Sequence, residues 1–169
     1  QVFGPVELNE LVTSSIEIAR PKWQRKSDQP PIEVRIECHG PIYVKGDLAE
    51  LREVVLNLIF NAVDAMPAGG FIEVGTRSEI ESGCFWVADT GCGMPPEIAA
   101  RIFEPFFTTK GAKGTGLGLS ASHGIISRHQ GEIFAVSEPG EGTRFEVRLP
   151  LCETISRMVP AEEEILSSN

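Results

Sequence analysis

The segment LAELREVVLNLIFNAVDAM, residues 48–66, constrains this chain more than any other. Leu48, Leu51, Val55, Leu58 and Ala62 form one apolar stripe at helical spacing, Asp47 stands where an N-cap belongs, and PAGG ends the pattern. A helix of this length is stable only if that stripe packs on another layer. The next two segments supply one. FIEVGTRSE and GCFWVADTG have strand-like character and are joined by a short polar connection, so they are expected to be antiparallel neighbours.

The flanking chain repeats the theme. Leu8, Leu11, Val12, Ile16 and Ala19 predict a helix within Val6 to Ala19, limited by Pro21. Ile32, Val34, Ile36 and Cys38 alternate with charged residues, and IYV at 42–44 follows a His-Gly-Pro turn, which predicts a hairpin at a sheet edge. PPEIAARIF reads as a short helix with proline in its first turn. Residues 108–115 have no periodicity and abundant glycine and lysine, the composition of a mobile loop. A helix then runs from near Gly116 to about His129, with Gly131 as its stop, and EIFAVSE and TRFEVRL close the pattern around PGEG. Helices separated by hairpins, rather than by regular βαβ crossovers, predict an α+β two-layer sandwich with helices on one face of a mixed, mostly antiparallel sheet. We expect one domain over residues 1–150 and a tail or linker over 151–169, where EEE and SSN occur.

Composition narrows the partners. A net charge of −9 argues against a general nucleic-acid or membrane-surface role, so an anionic ligand would have to be captured locally. Cys38, Cys84, Cys92 and Cys152 form no CxxC pair, which favours free thiols in a reducing compartment over a zinc site. No long apolar run or export signal occurs, so a cytoplasmic domain without membrane contact is expected, although a parent protein could be membrane-anchored.

Several groups could carry chemistry. Asn57 and Asn61 share a helix face and either satisfy local polar groups or present amide oxygens to a hydrated Mg²⁺. Asp89 ends a strand in DTGCGM, where Gly91 and Gly93 permit close backbone approach; it either makes an Asx turn or accepts from the exocyclic amine of a base. An aspartic protease would need a second such carboxylate.

GAKGTGLGLS lacks the lysine of a P-loop, and its GxGxxA match at Gly116, Gly118 and Ala121 does not follow a buried strand as a dinucleotide fingerprint must. A glycine-rich approach to a helix N-terminus remains, a place that favours anions, and Arg101, Lys110 and Lys113 make the neighbourhood positive. Phe103, Phe106 and Phe107 divide between core and a docking patch. Gly140, Gly142 and Thr143 are explained by turn chemistry alone.

Taken in order, LREVVLNLIFNAVDAM, DTGCGM, FEPFFTTK, GTGLGLS and GEGT resemble the N, G1, F, G2 and terminal glycine motifs of the catalytic ATP-binding domain of sensor histidine kinases. That family shares the Bergerat-type ATP-binding fold with gyrase, Hsp90 and MutL. The resemblance covers roughly Val6 to Pro150 and implies ATP and Mg²⁺ as ligands. It implies catalytic roles for Asn57, Asn61 and Lys110, with Asn61 on the metal, and Asp89 on the adenine amino group. Gly93 would give room beside the base, and Thr143 would act through its hydroxyl or a bridging water. The same resemblance places Asp64, Gly91, Met94, Gly114, Thr115, Gly116, Leu117 and Gly118 in the nucleotide site and makes residues 95–116 an ATP lid.

It further implies transfer of the γ-phosphoryl group to a histidine on a separate helical hairpin, with Phe103, Phe106 and Phe107 docking there and a response regulator downstream. His39, His123 and His129 lack the sequence context of a phosphoacceptor. Three rivals stay in view: a hydrolysing clamp of the gyrase or MutL type, a serine kinase of the anti-sigma type, and a regulatory nucleotide-binding module. The clamp would need a glutamate where Asn57 stands, with Glu53 a poor substitute.

Overall fold

The structure, a computed structural model, describes residues 2–24, 30–109 and 118–153. Strand β1 (Gly4–Glu7) leads into helix α1 (Leu8–Ala19); β2 (Ile32–Glu37) and β3 (Tyr43–Gly46) precede α2 (Leu48–Asp64). Then come β4 (Gly70–Ser78), β5 (Ser82–Asp89), the single turn α3 (Pro96–Ala99), α4 (Gly118–Arg128), β6 (Glu132–Glu138) and β7 (Gly142–Pro150). Five strands form one mixed sheet in the order β2-β4-β5-β7-β6, parallel between β2 and β4 and antiparallel elsewhere. The expected α+β sandwich is therefore present.

The period of two along β5 separates the two faces of the sheet. Phe85 and Val87 join Ile72, Val74, Phe145 and Val147 in one core with Leu11 and Ile16 of α1, Leu58 of α2 and Ile126 of α4. Each such side chain contributes about 1.5–3 kcal/mol by leaving water. The alternating residue Trp86 faces the other way. Its Nε1 donates to Glu73 Oε1 at 3.0 Å, and the guanidinium groups of Arg77 and Arg144 lie 5.7 and 4.5 Å from its ring centroid. Glu146 sits in this cluster against Arg77 and Arg144. Burial pushes its carboxyl up, but the arginines outweigh burial and hold it below the usual range.

The stripe of α2 is shifted from expectation. Leu51, Val54, Val55, Leu58, Ile59, Ala62 and Val63 are buried, whereas Leu48 is 47% exposed, because the first turn is still leaving the surface. Asp47 does cap the helix, accepting from Ala49 and Glu50. In α1 the cap is Glu7, whose carboxylate accepts from Asn9 and Glu10; Val6 belongs to β1.

The predicted hairpin of residues 32–38 with 42–44 does not form. Strand β3 pairs with β1 in a separate two-stranded sheet, and β2 runs parallel to β4. Parallel pairing requires a crossover, which α2 provides. Ile42 is drawn instead to the start of α1, donating to Glu7 Oε1 at 3.0 Å and accepting from Leu8 N–H at 2.8 Å.

At the end of α4 the left-handed residue is Gln130, with φ 56°, rather than Gly131, whose N–H closes on the Ile126 carbonyl at 2.9 Å. Leu151 and Cys152, assigned to the tail by sequence, bond to β3 through a bridge to Val44 and a 2.8 Å bond to the Tyr43 carbonyl. The four cysteines are free. No helix among the described residues is long and apolar enough to cross a membrane.

Candidate functional site

Where α2, the end of β5 and the start of β7 converge, they enclose a cavity of about 660 Å³. Asn57, Asn61 and Asp64 reach it from one face of α2, as spacings of four and three require. Asp89 lines it from β5, Gly93 and Met94 from the following loop, Gly118 from α4 and Thr143 from β7. Ile98, Ile102, Phe107 and Phe145 make an apolar wall. A concave space that sets an apolar wall against convergent polar groups is the ordinary form of a small-molecule site.

Asp89 is 9% exposed, and its Oδ1 accepts the backbone N–H groups of Gly91 at 2.8 Å and Thr143 at 3.3 Å. Burial raises its carboxyl above the usual aspartate range, and these two bonds oppose that rise without cancelling it. Among the described residues both recorded bonds use Oδ1, so Oδ2 retains its acceptor capacity.

The loop after Asp89 is pinned on both sides. Cys92 donates to the Ala65 carbonyl at 3.2 Å, Gly140 donates to the Cys92 carbonyl at 2.7 Å, and Met94 donates to Ser137 Oγ at 2.8 Å. Gly93 has φ 65°, and a Cβ there would strike the Glu138 carbonyl oxygen; Gly142 has φ 117°, and a Cβ there would strike the carbonyl oxygen of Asp89. Both glycines are needed for backbone to pass backbone at this corner. Gly91 donates to Asp89 and packs on Ala65 rather than lining the cavity.

Asn57 turns its amide nitrogen toward α4, 3.4 Å from the Gly118 carbonyl and 3.3 Å from Ser122 Oγ, tying the two helices across the cavity. The oxygen-bearing side chains of Asn57, Asn61 and Asp64 on this wall suit a hard cation that retains waters. Glu53, the remote base candidate, is exposed and does not line the cavity.

The phenylalanines part company. Phe103 packs on the core, 6.4 Å from the Phe145 ring and 5.6 Å from His123; Phe107 lines the cavity beneath Arg101; Phe106 is 75% exposed with φ 67°. Arg101 also pairs with Glu104 at 3.1 Å. Lys110, Gly114, Thr115, Gly116 and Leu117, with Lys113, lie outside the described residues. Sequence reasoning missed Thr108, Thr109 and Phe60 as lining residues, and missed Ser137 altogether. Lining residues of this kind carry no local pattern.

Residues 46–153 match the family described as histidine kinase-, DNA gyrase B- and HSP90-like ATPase. The chain belongs to this family. It is 43% identical to the sensor kinase CckA of Brucella abortus over 136 residues, which span 70% of this chain and 14% of that protein. The catalytic domain of histidine kinase ThkA, solved nucleotide-free, superposes with a TM-score of 0.78 at 30% identity, covering 89% of this chain and 96% of that one. Full-length ShkA in complex with AMPPNP gives 0.77 at 30% identity, covering 89% of this chain and 31% of that one. The chain spans 14–25% of the length of three curated kinases to which it is similar, CckA and the sporulation kinases A and C of Bacillus subtilis.

Proposed function

We propose that this histidine kinase-type ATPase domain binds Mg-ATP and transfers the γ-phosphoryl group to a histidine on a separate helical hairpin, from which a response regulator is phosphorylated. The observation that carries this reading is the convergence of Asn57, Asn61 and Asp64 with Asp89 and Thr143 on one cavity. In this reading the base sits against Asp89 Oδ2, Gly93, Met94 and Thr143. The phosphates extend toward Asn57, Asn61 and the N-terminus of α4, where Lys110 and the backbone of residues 114–118 would meet them. A bound Mg²⁺ supplies charge neutralisation at the transferring group, and Asn61 would hold it with Asn57 and Asp64 beside it. The AMPPNP complex of ShkA, a similar protein, supports the nucleotide.

Phosphoryl transfer asks the domain chiefly to position and neutralise charge. Consistent with that demand, Asn57 cannot act as a base, and the exposed Glu53 is off the cavity. These placements favour a kinase over a hydrolysing clamp.

The test is calorimetric titration of the chain with Mg-ATP, followed by labelled phosphotransfer to an added histidine-bearing hairpin. Micromolar or weaker binding is expected, because lost translational, rotational and side-chain freedom offsets part of the contact energy. Hydrolysis by the chain alone should be slow or absent. Rapid turnover without a hairpin would favour the clamp, and no binding at all would remove the nucleotide reading.

A further inference from the structure

Ser137 stands on β6 directly across from Thr143 on β7, two residues before the turn that closes the cavity corner. Its hydroxyl has three partners: Met94 N–H at 2.8 Å, the Gly142 carbonyl oxygen at 3.0 Å and Thr143 Oγ1 at 2.8 Å. A serine hydroxyl offers one hydrogen and two lone pairs, so these contacts saturate it. The assignment of protons is forced. Met94 N–H can only donate, and the Gly142 carbonyl can only accept, so the Ser137 hydrogen goes to Gly142; otherwise two acceptors would oppose each other at 3.0 Å. The remaining lone pair then takes the Thr143 hydrogen.

We infer that Ser137 is a positioning residue that fixes the proton order of the base end of the site, leaving Thr143 with lone pairs only toward the cavity. This rests on the nucleotide reading above and deepens it. Thr143 lines the cavity beside Asp89, whose Oδ2 also only accepts when ionised. Two acceptors at one end select a base edge that donates there, directly or through a water. A 6-aminopurine donates at that position; a 6-oxopurine offers a carbonyl oxygen to two acceptors and is turned away. Without Ser137 the Thr143 hydroxyl is free to rotate and donate, so the oxo base becomes tolerable. The same serine holds Met94, on the loop after Asp89, so one side chain couples the loop to the turn.

The test compares ATP with inosine triphosphate, which differs from ATP in its 6-oxo group and N1 hydrogen, by competitive titration in the presence of Mg²⁺. For Ser137→Ala the preference for ATP should fall by about tenfold, the size of one redirected hydrogen bond, with the change residing in better binding of the inosine nucleotide. Ser137→Thr, which keeps the hydroxyl at a half-buried strand position, should restore the preference. Thr143→Val, which removes the lone pairs while leaving Ser137 its bonds to Met94 N–H and the Gly142 carbonyl, should also lower it and serves if Ser137→Ala does not fold. Equal weakening of both nucleotides, or a lowered melting temperature with an unchanged ratio, would overturn the assignment while leaving the nucleotide site intact. A wild-type chain that binds neither nucleotide would overturn both.

Discussion

His129 Nε2, just past the end of α4, accepts the backbone N–H of Asp47, the N-cap of α2, at 3.0 Å. Its Nδ1 lies 2.8 Å from the Ile125 carbonyl, which can only accept, so the ring is neutral with its hydrogen on Nδ1. The side chain is thereby committed on both nitrogens and is 3% exposed as a residue. It joins the two helices that flank the cavity, and its role is architectural. His123 lies within α4, its ring 5.6 Å from that of Phe103.

Replacing His129 with phenylalanine keeps a ring in place but leaves Asp47 N–H without its acceptor. We expect a loss of about 1 kcal/mol in denaturant unfolding, the lower end of the cost of an orphaned donor because Asp47 is half-buried. An unchanged midpoint would show that water reaches this group.

Asp89 carries a conflict between stability and binding. Because burial raises its pKa in the folded state, the folded protein binds this proton more tightly than the unfolded chain does. Its contribution is therefore most favourable below the ordinary aspartate range and declines as pH rises through the raised value. Asp89→Asn should remove that cost, melting at or above the wild-type temperature near pH 7, with the advantage vanishing in acid. The same variant should lose most Mg-ATP affinity in a fluorescence titration. Unchanged affinity would sink the assignment of Asp89 to the base.

Glu146 runs the other way. Its folded pKa lies below the usual value, since Arg77 and Arg144 outweigh burial, so its contribution is present above the unfolded glutamate range and is lost as pH falls through the lowered folded value. Glu146→Gln should cost about 1–2 kcal/mol at pH 7, the scale of a hydrogen bond to a charged group, discounted because Arg77 is partly exposed. Melting curves of variant and wild type should converge on acidification. Parallel curves down to pH 3 would contradict the pairing.

Phe106 is 75% exposed on a left-handed backbone, an arrangement that the cavity does not require. Phe106→Ala should reduce phosphotransfer to an added histidine hairpin severalfold while leaving the Mg-ATP dissociation constant within about twofold, since the ring does not line the cavity. Equal losses in transfer and binding would argue against docking.

Residues 48–64 announce their helix, their cap and most of their buried stripe within a short window, because capping and periodicity are local properties. Asp89, Asn57 and Asn61 can likewise be singled out before any fold is known. Strand partners are another matter. Whether β2 pairs with β3 or β4 depends on where Ile42 and Val44 find burial and where backbone groups find partners, and those sites lie far away in sequence. Ser137 reads as one more polar residue in a strand until Met94, Gly142 and Thr143 are brought around it. Local preference decides what each segment can be; burial and hydrogen-bond satisfaction between distant segments decide where it goes and what its side chains meet.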